Sequence, residues 1–128
     1  MRSRNLARRA LVPMTMLVAA ALCSGDAPVA QEQARHEIVV HAKRYAFSQP
    51  RIEVAANDVV TITLVAEDIP HTFTVDEYRI SKRAAPGRPV TFEFRADKAG
   101  TFPFYCSLTI EEGCREMRGT LVVTPRRP

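Results

Sequence analysis

Three stretches of the chain carry side chains that bind soft metal ions, and each supplies a different donor. His71 follows Pro70 in the middle of the chain, Cys106 comes late, and Met117 lies just beyond it. Copper sites that exchange electrons use imidazole nitrogen, thiolate sulfur and a weak thioether ligand, and these three residues supply one of each. A second thiol, Cys114, lies between the last two. The residue types predict a copper site if folding brings the histidine to the sulfur-rich segment.

Other kinds of chemistry find less support in the residue types. The sequence contains no hydrolytic triad, no pair of carboxylates with a pocket signature and no glycine-rich phosphate loop, so we expect no enzymatic activity. Two further histidines, His36 and His41, have no soft donor beside them in the sequence. We expect both to face solvent and assign them no role.

The elements that must position these donors are strands. From residue 38 onward apolar residues recur with a period near two, and β-branched and aromatic types dominate. Turn residues separate short apolar runs, as at Asn57-Asp58 and Pro86-Gly87. The predicted strands are 37–45, 51–55, 59–66, 71–78, 90–95, 101–106 and 119–124. Short strands at this spacing predict an all-β fold, a Greek-key two-sheet β-sandwich.

The first 30 residues have the features of an export signal. Arginines at positions 2, 4, 8 and 9 precede an uncharged apolar run over 10–22, which is too short to span a bilayer comfortably. We therefore expect a signal peptide over 1–30, a short tether over 31–36, one domain over 37–128 and a periplasmic or otherwise exported protein. Arg8-Arg9 fits a twin-arginine route. Lipidation of Cys23 is the less favoured interpretation because bulky Leu22 precedes it.

The charge pattern argues against nucleic acid as a partner. Removal of 1–30 takes away four of the 18 basic residues and one of the 14 acidic ones, so the net charge falls from +4 to +1. The remaining chain has no cluster of basic residues interleaved with aromatics. We expect no nucleic acid and no transmembrane span in the mature chain. We also expect a monomer, whose partner would be a redox or copper-handling protein.

The sequence resembles the cupredoxins, in particular exported ones similar to the copper domain of cytochrome oxidase subunit II. The resemblance covers nearly the whole mature chain, and its marks are YAFSQP at 45–50, the segment around His71, Pro86-Gly87, AGTFPFYCS at 99–107 and MRGTLVV at 117–123. It implies a cupredoxin-like sandwich that binds a single copper ion, for electron transfer or for Cu(I) carriage.

The ligand loop departs from that of the family it resembles. The family loop reads Cys, three residues, Cys, three residues, His, two residues, Met, after an upstream His. His71, Cys106 and Met117 match this pattern, but Ile110 replaces the second cysteine and Cys114 replaces the second histidine. Neither a thiolate-bridged pair of coppers nor the usual two-histidine blue site can therefore be built.

Three outcomes remain open for the loop. The metal ligands could be His71, Cys106, Cys114 and Met117, a set that favours Cu(I) and, less so, zinc. Alternatively, a Cys106–Cys114 disulfide could remove the metal site or switch it with redox state, and would add about 2 to 3 kcal/mol of stability. A chain of that kind would be a structural or interaction module. Thirdly, a carboxylate could join His71 and Cys106 in a harder site. The candidate carboxylates are Glu111, Glu112 and Glu116.

Overall fold

A computed structural model describes residues 33–110 and 112–126, together with Pro13 and Gly25. The predicted export signal, the twin-arginine pair and Cys23 lie outside the described residues. Within the described part of the chain, no helix combines the length and the apolar character needed to cross a bilayer.

Strands make up most of the described chain. They are β1 (Arg35–Lys43), β2 (Ala46–Phe47), β3 (Arg51–Ala55), β4 (Val59–Ala66), β5 (His71–Val75), β6 (Ile80–Ala84), β7 (Val90–Arg95), β8 (Gly100–Tyr105) and β9 (Arg118–Thr124). Two short 3-10 helices cover Asp76–Tyr78 and Glu112–Glu116. The seven segments predicted from periodicity all contain a strand, whereas β2 and β6 were not predicted.

The boundary differences have local causes. The segment 71–78, predicted as one strand, ends at Val75, because a 3-10 turn and Arg79 in the left-handed region (φ 53°) reverse the chain. β6 then pairs back along β5. β1 starts before the predicted residue 37: Arg35 and His36, assigned to the tether, pair with the first residues of β4. β1 therefore begins two residues earlier than predicted.

The strands form two sheets. One has the order β2-β1-β4-β7 and the other the order β3-β9-β8-β5-β6. Two neighbouring pairs, β1 with β4 and β3 with β9, are parallel, while the others are antiparallel, so both sheets are mixed. Strands that follow one another in sequence often lie in different sheets, as the predicted Greek-key sandwich requires.

An apolar core lies between the sheets. Alternate residues of β4 point inward, and Val60, Ile62 and Leu64 are fully buried. The aromatic centre is a stack of Phe73 on Phe104 with ring centroids 4.7 Å apart. This packing makes the domain a rigid frame for the loops at its ends.

The frame brings the four predicted ligands to one end of the five-stranded sheet, which we call the ligand end. β5 starts at His71, and its antiparallel neighbour β8 ends one residue before Cys106. Cys114 lies on the 3-10 helix Glu112–Glu116, and Met117 immediately precedes β9. Antiparallel pairing of β8 with β9 then closes the loop that carries the three sulfur residues.

Candidate metal centre

His71, Cys106 and Cys114 form one buried group at the ligand end. Their ligand atoms all lie within 4.8 Å of one another, and the three residues are at most 1% exposed. The Nδ1 atom of His71 is 4.0 Å from the sulfur of Cys106. His71 and Cys106, which are 35 positions apart in sequence, are thus brought into one buried group.

The two cysteine sulfurs are in direct contact and form a disulfide. The Cα atoms of Cys106 and Cys114 are 5.2 Å apart, within the range that a disulfide spans. This pairing is compatible with the second outcome predicted for the loop. Free thiolates at the same two positions would need only the reduction of that bond.

Met117 is fully buried. Its N–H donates to the Cys114 carbonyl at 3.1 Å, and its carbonyl accepts the Cys106 N–H at 3.2 Å. The Met117 backbone is therefore hydrogen-bonded to the backbones of both cysteines. The spacing of these three residues supports the fold of the loop, whether or not their side chains bind a metal.

The other positions of the loop face outward. Ile110, which stands where the resembled family has a second cysteine, is 88% exposed. Glu112 and Glu116 are exposed and do not belong to the buried group, and Glu111 lies outside the described residues. The structure therefore offers no support for a carboxylate ligand from Glu112 or Glu116.

Asp68 was not predicted as part of the site, yet it holds the imidazole of His71. One carboxylate oxygen lies 3.0 Å from Nε2 of His71, so Nε2 is placed to donate a hydrogen bond to Asp68 while Nδ1 faces the sulfur of Cys106. The Arg44 N–H donates to Asp68 at 2.8 Å, and this hydrogen bond holds the pKa of the Asp68 carboxyl well below its usual range. Desolvation raises the pKa by a smaller amount, while hydrogen bonds from His71 and from the Ile69 N–H lower it further. The Asp-x-x-His spacing was the available sequence signal.

Thr72 is a second residue that the sequence reasoning missed. Its N–H donates to the sulfur of Cys106 at 3.5 Å, and its hydroxyl accepts the Ser107 N–H at 2.6 Å. Thr74 extends this contact, because its hydroxyl donates to the Ser107 hydroxyl at 3.1 Å. The strand that carries His71 is thereby bonded to the loop that carries Cys106.

The donor set fits a soft monovalent ion once the disulfide is reduced. Two ligands that are each about 2.0 to 2.3 Å from one ion lie at most about 4.6 Å apart, close to the 4.8 Å spread of the group. Thiolate and imidazole donors in a buried site suit Cu(I). In the oxidised pair the sulfurs are bonded to each other and the set is incomplete.

His36 and His41 take no part in this group. His36 Nε2 lies 2.7 Å from Asp58, and His41 Nδ1 lies 3.0 Å from Glu67. Their side chains are 34% and 47% exposed, so both reach solvent while bonding to a carboxylate.

Two pockets and one aromatic ring surround the site. Ile69, Pro70, Leu108, Ile110 and Arg83 line an apolar depression. A second pocket contains Cys106 and two arginines, Arg115 and Arg118. The ring of Tyr45 covers Gly113, next to Cys114.

Comparison with known proteins places this arrangement in a family. The chain is 42% identical over 48 residues to cytochrome c oxidase subunit 2 of Thermostichus vulcanus, an alignment that spans 38% of this chain and 14% of that protein. The described fold is similar to auracyanin A, a "blue" copper protein from Chloroflexus aurantiacus (TM-score 0.60, 18% identity, 71% of this chain and 100% of that one). It is also similar to the periplasmic domain of cytochrome oxidase subunit II (CoxB) of Bradyrhizobium japonicum (TM-score 0.60, 17% identity, 70% and 83%). The model of the cupredoxin-like domain matches residues 13–123, and the chain belongs to that family.

Proposed function

We propose that this protein binds a single copper ion as Cu(I) through His71, Cys106, Cys114 and Met117. The observation that carries the proposal is the buried group of one imidazole and two sulfurs, whose ligand atoms lie within 4.8 Å of one another. When bound, copper would supply a one-electron centre or a cargo ion. The protein's own contribution is to exclude water and to hold the donors in place.

Carriage of Cu(I) fits this donor set better than electron transfer through a blue Cu(II) centre. Such a centre uses two imidazoles and one thiolate, whereas here Cys114 stands at the second imidazole position. Two thiolates facing Cu(II) tend to be oxidised to a disulfide. The contact between Cys106 and Cys114 is the form that such oxidation would leave.

The setting that we propose is an exported, monomeric protein without enzymatic activity, which meets a redox or copper-handling protein. The leader-like pattern of 1–30 supports export. Among relatives, CoxB contributes a periplasmic domain of the same fold, and auracyanin A is a copper protein. This chain spans 14% of the length of the oxidase subunit, so that subunit's activity and assembly are not transferred to it.

The disulfide favours a second candidate function. A cupredoxin-like chain whose Cys106 and Cys114 stay paired would be a structural or interaction module without metal. The pairing in the structure is the observation that supports it. The two candidates differ in one measurable property, which is whether the reduced protein takes up Cu(I).

The test is titration of the reduced full chain with Cu(I) under anaerobic conditions, against a chromophoric Cu(I) chelator. We expect one equivalent per chain, also seen as a mass shift in native mass spectrometry. The variants Cys106→Ser and His71→Gln should lose tight binding. His41→Gln is the matched control, because His41 is an exposed histidine paired with a carboxylate, and it should bind like the unaltered protein.

Retention of full Cu(I) binding by both Cys106→Ser and Cys114→Ser would refute the ligand set. Absence of binding by the reduced protein would favour the structural module. Native mass spectrometry of protein recovered from the periplasm would also report cleavage, lipid attachment and the state of the disulfide.

A further inference from the structure

The apolar depression at the ligand end lies beside the segments that carry two of the predicted ligands. Its lining residues are Ile69, Pro70, Arg83, Leu108 and Ile110. The first two directly precede His71, and the last two follow Cys106 in the ligand loop. A molecule that covers the depression would therefore lie against both segments that hold the buried group, and it would need no access to the sulfur atoms themselves.

The size of the depression suits a side chain of a partner protein. Its volume is about 120 Å³, whereas pockets for small molecules measure about 300 to 1,000 Å³. A space of this size accepts one aliphatic side chain, which is how an apolar anchor residue is held at the centre of an interface. Ile110 is 88% exposed, more than any other large apolar residue in the described part of the chain. An exposed isoleucine beside an apolar depression is surface that a protein partner would bury.

The charge at the depression is positive. Arg83, on the edge strand β6, is the only charged residue among the lining residues. The segment 80–89 also carries Lys82 and Arg88 and contains no acidic residue. All three cations are exposed, and none of them belongs to an ion pair within the described part of the chain. This side of the ligand end is therefore basic.

The carboxylates of the ligand end have other partners or lie outside the depression. Asp68 is engaged by two backbone N–H groups and by the imidazole of His71. Glu67 pairs with His41. The acidic residues of the second 3-10 helix do not line the depression, and they are Glu112 and Glu116. The guanidinium of Arg83 therefore has no competing carboxylate among the lining residues.

We propose that the depression, together with Arg88, is the docking surface for a partner protein that presents carboxylates around an apolar side chain. An apolar centre with a polar rim is the usual composition of an interface, and opposite charges speed the encounter and fix its orientation. A second copy of this chain is a poorer occupant, since a symmetric contact would bring two basic surfaces together. The inference rests on the proposed function for the task of the partner, because docking here places a redox or copper-handling protein next to the buried group.

The experiment is an NMR titration of the isotope-labelled full chain, air-oxidised and free of metal, with a short acidic peptide. The probe is the acetylated peptide Glu-Glu-Leu-Glu-Glu. The companion peptide Gln-Gln-Leu-Gln-Gln lacks the charges, and Glu-Glu-Ser-Glu-Glu lacks the apolar anchor. Chemical-shift changes of the backbone amides report both the place of binding and the affinity.

Two variants test the two components of the docking surface. Arg83→Gln/Arg88→Gln removes the charges, and its matched control is Arg79→Gln/Arg95→Gln, which removes two guanidiniums from a pocket beyond the far end of β5. Ile110→Ser removes the exposed apolar side chain. Its matched control is Val39→Thr, at an exposed apolar residue of β1.

We expect the shift changes to centre on the amides of 69, 83, 88, 108 and 110. The Arg83→Gln/Arg88→Gln variant should bind Glu-Glu-Leu-Glu-Glu about fivefold more weakly than the unaltered protein and the control. Ile110→Ser should weaken binding of the same peptide about threefold and leave the binding of Glu-Glu-Ser-Glu-Glu unchanged. High salt should remove the difference between the acidic and the neutral peptide by screening the charges.

Shift changes centred elsewhere would overturn the inference, as would equal affinities of the unaltered protein and the Arg83→Gln/Arg88→Gln variant. Binding to phosphatidylglycerol vesicles without binding to the acidic peptide would overturn it in favour of a membrane surface. A dimer in analytical ultracentrifugation, with concentration-dependent shifts of the same amides, would overturn it in favour of a second copy.

The titration is separate from the Cu(I) measurement, because no metal is present. A protein that binds the acidic peptide as expected but takes up no Cu(I) would refute only the proposed function. A protein that takes up Cu(I) but does not bind the peptide would refute only the docking surface. Circular dichroism checks that the variants are folded.

Discussion

The carboxylate of Asp68 and the imidazole of His71 lie 3.0 Å apart, and the contact is made by Nε2 of the ring. The other ring nitrogen, Nδ1, faces the sulfur of Cys106 at 4.0 Å. His71 is fully buried, so its orientation is set by these neighbours and not by water. Asp68 is in turn fixed by the N–H groups of Arg44 and Ile69. This chain of contacts fixes the ring so that Nδ1 faces the cysteine pair.

The first prediction concerns this pair. Asp68→Asn should weaken Cu(I) binding by the reduced protein about tenfold, since it replaces the carboxylate that orients the ring and raises its basicity. Competition with a Cu(I) chelator measures the affinity. Glu67→Gln is the matched control, because it removes a carboxylate from the exposed pair with His41. Equal affinities of the Asp68→Asn and Glu67→Gln variants would show that Asp68 does not support the site.

Much of the fold was visible in the sequence because strand periodicity is a local property. Alternation along 59–66 predicted β4 with its bounds as observed, and Val60, Ile62 and Leu64 are buried as that alternation requires. The very short strand β2 and the strand β6 carry no comparable signal. In β6, Ser81, Lys82 and Arg83 are exposed, so an edge strand with a polar centre escaped detection.

The candidate site was visible only in part, for a physical reason. Residue types and spacing suggested His71 and the sulfur residues, because imidazole, thiolate and thioether are the donors that electron-transfer copper sites use. The role of Thr72 depends on atoms brought together across strands, and the role of Asp68 depends on the conformation of the turn that leads into β5. Asp68 looked like an ordinary turn residue before Pro70, and Thr72 like any strand threonine. The Thr72 contact exists only once β5 lies beside the loop that follows β8, and the Asp68 contact exists only once the turn between β4 and β5 has folded.

The second prediction concerns the contact between Thr72 and Ser107. Thr72→Val keeps the shape of the side chain but removes the oxygen that accepts the Ser107 N–H at 2.6 Å. A partly buried donor is then left without a partner, so the free energy of unfolding should fall by about 1 to 3 kcal/mol. Chemical denaturation measures it.

Thr63→Val provides the control for this change. The Thr63 hydroxyl lies 2.9 Å from that of Thr91 on an exposed face, where water can replace the lost partner. Its effect should stay within about 0.5 kcal/mol. If Thr72→Val is equally mild, the hydroxyl is not what joins β5 to the loop.

The third prediction concerns the ring that covers the cysteine loop. A methyl group at position 113 would overlap the ring of Tyr45, which is 43% exposed. Gly113→Ala should therefore lower the free energy of unfolding by about 1 to 3 kcal/mol, because the ring or the loop must move. Thermal and chemical unfolding of the oxidised protein measure the loss.

A double-mutant cycle identifies the cause. When Tyr45→Ala is added, the overlap disappears, so Gly113→Ala should cost clearly less in that background than in the unaltered protein. Additive effects of the two substitutions would mean that the ring does not restrict position 113.

The last prediction concerns acid stability and a different end of the domain. Asp58 is almost fully buried and receives hydrogen bonds from the N–H groups of Ala34 and Ala55 and from the side chains of His36 and Arg126. Burial by itself raises the pKa of Asp58, but these donors together outweigh it and lower that pKa from 3.8 to about 2. The ionised carboxylate thus joins both ends of the described chain to the start of β4.

Because the folded pKa of Asp58 lies below the unfolded one, its contribution to stability is present above about pH 4 and is lost as the pH falls towards about 2. The lowered pKa corresponds to about 2 kcal/mol. Asp58→Asn should remove this amount at neutral pH and flatten the decline of the unfolding free energy between pH 4 and pH 2. Denaturation across that range measures both effects, and Asp97→Asn, at an exposed carboxylate, should leave the profile unchanged. Only the ionised Asp58 carboxylate can accept hydrogen bonds from all four donors at once. If the unfolding free energy of Asp58→Asn falls as steeply with pH as that of the unaltered protein, Asp58 is not the source of the acid sensitivity.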